Sequence, residues 1–213
     1  MAGKIESEKK KVSYYLNLAG EVFIFLSLLT LFFIYGPATK EEIVYQARQA
    51  LVKSDSKLVK EIEPPNTEFS IVIPKIGASA PVFANVDPFN ASEYLPVLKK
   101  GVAHAKYSAL PGSFGNTYLF AHSTDAFYNV GRYNAVFYLL GKLERGDEID
   151  IYYKEKKFVY KVSDKKVVDA KDVFYLGNSG KWNTLTLQTC YPPGTTLRRL
   201  VVIAHQDGGV ELK

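Results

Sequence analysis

A single cysteine, Cys190, is present in the 213 residues, so neither an intrachain disulfide nor a cysteine-rich metal site can be built. It closes the alternating run Thr184, Leu185, Thr186, Leu187, Gln188, Thr189 and is followed by Tyr191, Pro192, Pro193 and Gly194. A cysteine that ends a strand can reach a cleft while the strand holds its backbone, whereas a packing cysteine more often sits in mid-strand. As a nucleophile it needs a partner that stabilises thiolate and protonates a leaving amine. Histidine serves because its pKa lies near working pH. Of the three histidines, His122 ends the apolar run TYLFAH, and two strand ends at one rim can bring it to Cys190. His104, after a predicted helix, and His205, after RRLVVIA, read as surface or packing residues. Acyl transfer also needs a donor for the oxyanion. Arg198 and Arg199 open the strand after the cysteine loop, and antiparallel pairing would set one of them beside Cys190. Arg199 shares parity with Val201 and Ile203, and Arg198 with Leu200, Val202 and Ala204. Both sets are apolar, so parity leaves the choice open.

The elements that must position these residues are short. FSIVI and APVFANV read as strands joined by the turn PKIGAS, and ASEYLPVLKKG as a short helix ending at a glycine. NTYLFAH is a strand running into His122, and AVFYLLGKL is a short helix or an irregular packed segment. DEIDIYYK and KFVYKVSDKKVVD read as a hairpin, and NTLTLQTC and RRLVVIAH as the last two strands. About eight short strands suggest one closed β-barrel over residues 68–213.

Ahead of that domain the composition changes twice. Residues 1–15 are polar and carry Lys4, Lys9, Lys10 and Lys11. Residues 16–37 are strongly apolar, with no charge from Val22 to Ala38, and at 1.5 Å per residue they can cross most of a hydrocarbon core about 30 Å thick. Glu21 lies near the cytoplasmic edge, and Tyr14, Tyr15 and Tyr35 flank the run where aromatic rings favour the interface. The preceding lysines predict an uncleaved single-pass anchor in a bacterial cell membrane, N-terminus cytoplasmic and domain outside. A cleaved signal peptide is the alternative, for which the apolar run is long. Residues 38–67 are charged with some helical spacing until Pro64 and Pro65, and read as a stalk or a disordered linker.

Hydrophobic residues make up 47% of the chain, enough for a real core. The net charge of +5 is spread along the chain, and no zinc-finger spacing, RNA-binding aromatic signature or basic helix points to nucleic acid. No residue pattern asks for a metal or cofactor.

Two stretches together resemble the sortase family. TLTLQTCYPPGTTLRRLVVIA is similar to the family's Thr-Leu-x-Thr-Cys strand, loop and arginine, with Thr186, Leu187, Thr189 and Cys190 matching. LPGSFGNTYLFAHS is similar to its Pro-Gly-x-x-Gly-Asn strand ending in histidine, through Pro111, Gly112, Gly115, Asn116 and His122. IPKIGASAPV, GVAH and LERGDEIDIYY followed by FVYKV agree more weakly, and the order covers nearly all of residues 69–204. The resemblance implies a closed eight-stranded sortase-type β-barrel with short helices behind a transmembrane helix, acting as a cysteine transpeptidase without a cofactor. Cys190 would attack the threonyl carbonyl of a Leu-Pro-x-Thr-Gly-like sorting signal on a surface protein. His122 would protonate the departing glycine amine, and an envelope amine, from peptidoglycan or a pilin lysine, would resolve the thioester. Spacing to Ala204 selects Arg199 as the oxyanion donor with Arg198 as fallback, and Thr189 and Arg198 are expected beside the substrate. The TCYP sequence suggests class D or a neighbouring group. Departures are Ser123, where arginine is frequent, the Pro192–Pro193 pair, and a loop over residues 169–183 too modest for a pilin-class lid. The competing reading is an anchored β-barrel binding or adhesion module with an inert cysteine.

Overall fold

The structure, a computed structural model, describes residues 2–54, 62–123, 136–177 and 183–207. Parts of the expected stalk (55–61), of the loop after Asp169 (178–182) and of the C-terminus (208–213) lie outside the described residues. The chain begins with helix α1 (Ala2–Ser54), followed by β1 (Phe69–Ile73), β2 (Ala78–Val86), α2 (Ala91–Leu98), β3 (Val102–Ala105) and β4 (Gly115–Phe120). After a 3₁₀ turn at Leu140–Lys142 come β5 (Glu148–Tyr153) and β6 (Lys156–Asp169), then a 3₁₀ turn at Phe174–Leu176, β7 (Asn183–Tyr191) and β8 (Arg198–Gln206).

The strands close into one barrel in the order β1-β2-β3-β4-β7-β8-β6-β5. Two neighbouring pairs, β2–β3 and β4–β7, are parallel. A parallel pair cannot be joined by a tight turn. The first is bridged by α2, whose start is capped by the Asn90 side chain accepting from the Ser92 amide. The second is bridged by the whole β5–β6 hairpin. Alternation fills the barrel: Ile71, Ile73, Leu119, Ile149, Ile151, Leu185, Leu187, Leu200 and Val202 form its core, sealed by Phe137, Leu140 and Leu143. The segment around AVFYLLGKL is therefore an irregular plug with one 3₁₀ turn and not a helix. β3 is not among the strands that alternation predicts, because its four residues Val102, Ala103, His104 and Ala105 are all buried and mix small, apolar and polar types.

α1 contains one segment long and apolar enough to cross a membrane, Ser13–Phe32, with mean hydropathy 1.8 and none of it buried. The helix continues without a break through residues that read from sequence as a stalk, and its later turns rest on the barrel. Glu42 pairs with Lys142 at 2.9 Å, the Lys142 ammonium stands over the Tyr45 ring, and Tyr45 packs on the core cluster. Gln49 Nε2 donates to the Lys75 carbonyl at 3.0 Å.

Candidate active site

Strand register assembles the site. β4 and β7 run parallel with Asn116 opposite Thr184, Tyr118 opposite Thr186 and Phe120 opposite Gln188. His122 follows two residues after Phe120, the last paired residue of β4, and lines the same groove as Cys190. On the other side β8 is antiparallel, with Cys190 opposite Arg199 and Tyr191 opposite Arg198. Since Leu185, Leu187, Leu200 and Val202 point into the core, Gln188, Cys190 and Arg199 point out of the barrel. Tyr118 and Phe120 do the same on β4, one residue off the inward Leu119. Cys190, His122 and Arg199 all line one groove of about 580 Å³. Its walls come from the β2–α2 loop (Pro88, Phe89), from α2 (Tyr94, Leu95, Leu98) and from the β6–β7 and β7–β8 loops.

Cys190 is half-buried, and this burial pushes its thiol above the ordinary value while the Arg199 charge pulls it back. Arg199 is held at the groove mouth, its Nη1 donating to the carbonyls of Thr196 and Arg198 at 3.1 Å each. The Arg199 cation thus stands where it favours thiolate on Cys190.

The motif threonines hold the frame. Thr186 Oγ1 donates to Asn116 Oδ1 at 2.8 Å, and Asn116 Nδ2 donates in turn to the Tyr175 carbonyl at 2.9 Å, fastening β7, β4 and the groove wall to one another. Thr189 is 3% exposed and donates to the Ala121 carbonyl at 2.9 Å. It fixes the backbone just before His122 and also lines the groove beside Cys190. Arg198 is exposed, stands opposite Tyr191 and is not among the groove-lining residues, so the structure does not bring it to Cys190. Gly112, in the loop before β4, has φ +79°, and a Cβ there would meet the Phe158 ring at 2.3 Å.

The other histidines stand apart. His104 is buried: Nδ1 accepts from the Asn85 amide at 3.2 Å, and Nε2 lies 3.0 Å from the Ala109 carbonyl and 2.9 Å from Ser108 Oγ. An accepting Nδ1 and a donating Nε2 describe a neutral ring, and burial lowers its pKa. His205 stands opposite Thr184, at the far end of β7 from Cys190, roughly 20 Å away at about 3.3 Å per residue.

Residues 71–207 match the model of the Sortase domain family. The chain belongs to the sortase family. It is 31% identical over 120 residues to Sortase D of Bacillus subtilis (strain 168), covering 56% of this chain and 52% of that protein, so it spans about half the length of that curated relative. Among solved structures, the Clostridium perfringens Sortase D5 transpeptidase superposes with TM-score 0.55 at 28% identity, covering 73% of this chain and 88% of that one. The pilus-related Sortase C of Group B Streptococcus gives TM-score 0.56 at 26% identity, over 81% and 93% of the two chains. Sortases are cysteine transpeptidases, and the chain carries their closed eight-stranded barrel.

One part of this sortase's groove escaped sequence reasoning. The buried Tyr118 phenol donates to Oε1 of the half-buried Gln188, and both residues lie in the groove. The signal was available: Tyr118 shares parity with His122, and Gln188 with Cys190. Only the parallel β4–β7 pairing, which is not readable from alternation, makes the two meet.

Proposed function

We propose that this sortase is a membrane-anchored transpeptidase acting through Cys190, His122 and Arg199. The observation that supports the reading is that all three line one groove, with Cys190 and Arg199 opposite each other on β7 and β8. Cys190 thiolate attacks the threonyl carbonyl of a Leu-Pro-x-Thr-Gly-like sorting signal. The carbonyl oxygen takes up negative charge, which Arg199 stabilises from the strand opposite. As the tetrahedral intermediate collapses, the carbon–nitrogen bond breaks and His122 imidazolium gives its proton to the departing glycine amine. The acyl group is left as a thioester on Cys190. An envelope amine then attacks that thioester, His122 takes its proton, the carbon–sulfur bond breaks and thiolate returns. No cofactor or metal is invoked.

The names of two relatives, both class D, and the TCYP sequence support a class D assignment. The apolar segment of α1 after four lysines supports an N-terminus inside and the barrel outside the membrane. Incubating the protein with a sorting-signal peptide, with and without an added amine, tests the reaction. A new amide product in the presence of amine is expected. Hydrolysed acid alone, whatever the amine concentration, would contradict transfer. Protease added to cells without an outer barrier tests topology: the domain should be cleaved, and full protection would reverse the orientation.

A further inference from the structure

We propose that Gln188 is a specificity-determining residue that donates its side-chain amide to the backbone carbonyl of the substrate residue two before the attacked one, with Tyr118 as the positioning residue that orients it. The proposal rests on the transpeptidase reading above. A buried phenol requires an acceptor, and Tyr118 is 3% exposed with its hydroxyl on Gln188 Oε1. Burial also drives the phenol pKa up, so it stays a donor throughout the working pH range. With Oε1 engaged, the group Gln188 can offer to the groove is its NH₂, a donor.

The position follows from strand geometry. Gln188 and Cys190 are two residues apart on the same face of β7, about 6.6 Å along the strand. His122, two residues beyond Phe120, lines the same groove and must meet the leaving amine on the other side of Cys190 from Gln188. The run from Gln188 past Phe120 and Tyr94 toward α2 is therefore left for the acyl side of the peptide. An extended peptide with its reacting carbonyl at Cys190 brings the residue two positions earlier beside Gln188, because its own repeat is also about 6.6 Å. In the proposed signal that residue is proline, which has a carbonyl and no N–H. A wall that turns the Gln188 NH₂ to the groove, its oxygen drawn toward Tyr118, presents a donor to that backbone. Phe120 lies opposite Gln188 at the same level and packs edge-on against Tyr94 at 6.0 Å, giving the ring an apolar surface.

The test is a double-mutant cycle between enzyme and peptide. One peptide carries the normal signal, and the other replaces the Pro–x amide with a neutral E-alkene, which keeps the shape and removes the carbonyl together with the N–H of residue x, so that the cycle with Gln188→Leu isolates the carbonyl's share. With wild type the alkene peptide should lose about tenfold in kcat/KM, the effect expected of one hydrogen bond. Gln188→Leu should lose about tenfold on the normal peptide, mainly in KM, and nothing further on the alkene peptide. Tyr118→Phe should cost a few-fold, and should cost nothing once Gln188 is leucine. The proposal is overturned if the wild type treats the two peptides within twofold, or if the two tenfold losses multiply. The wild-type comparison needs no variant, so a misfolded mutant leaves the test intact. Absence of any Cys190 thioester in wild type would instead overturn the underlying reading, and this proposal with it.

Discussion

On the inner face of β4, β7 and β8, Leu119, Leu185, Leu187 and Val202 are fully buried and touch one another. One residue along, on the outer face of the same strands, Tyr118, Phe120, Gln188, Cys190 and Arg199 line an open groove, joined by His122 just past the end of β4. Both faces come from the same two-residue alternation, and the difference is what covers them. The inner rows are closed by the barrel, so truncating Leu187 to alanine costs about 2–5 kcal/mol of stability and says nothing about chemistry. The outer row is flanked by α2 and three loops that leave it partly open, so polar and ionisable groups persist there. Thr189 stands at the border: its hydroxyl holds the Ala121 carbonyl, and it also lines the groove.

The largest effect that could break this comparison is at histidine. His122→Ala is expected to lower turnover about 10²–10⁴-fold, the usual worth of a positioned proton-transfer group, with the melting temperature little changed. His104→Ala and His205→Ala should keep most of the activity. Near-normal turnover by His122→Ala in a peptide-cleavage assay would remove it from the outer-face site.

A somewhat smaller effect separates the two arginines. Arg199→Ala is expected to lower kcat about 10²–10³-fold, and Arg198→Ala only a few-fold. A second measurement sharpens the contrast. Removing a cation from beside a thiol disfavours thiolate, so Arg199→Ala should shift the pH profile of Cys190 alkylation upward, whereas Arg198→Ala should leave it in place. The reverse order in either assay would reassign the strand's catalytic face.

The smallest effect concerns His104. Its folded pKa is depressed below the ordinary 6.5 by burial. As pH falls through about 6.5 the unfolded chain takes up a proton that the folded ring resists, so stability is present above that pH and is lost below it. Thermal melts between pH 8 and pH 5 should show this decline, and His104→Gln should flatten it. Some slope will remain because burial shifts His205 the same way. An unchanged slope in His104→Gln would mean the ring is not held neutral.

Most of the barrel was readable because its long strands alternate cleanly and its hairpins are local. β3 was not, being four buried residues with no alternation, and its parallel partnership with β2 depends on α2 crossing between them. Cys190 and His122 stood out as polar residues ending apolar strands. Parity could not separate Arg199 from Arg198, because both rows of β8 are apolar; the family spacing to Ala204 selected Arg199, and pairing with β7 sets that residue opposite Cys190. Tyr118 and Gln188 were invisible for a related reason. They lie 70 residues apart and meet only through the parallel β4–β7 pairing. The docked turns of α1 read as a charged stalk because single contacts such as Glu42–Lys142 leave no periodic trace.

The central claim, that the outer-face row performs acyl transfer through Cys190, is met most directly by mass spectrometry of the intact protein after incubation with a sorting-signal peptide. The account predicts an adduct equal to the acyl portion of the peptide, mapped to Cys190, released by an added amine and absent from Cys190→Ala. A folded wild-type protein that cleaves the peptide with no such adduct, or a Cys190→Ala protein that still cleaves it, would contradict the account.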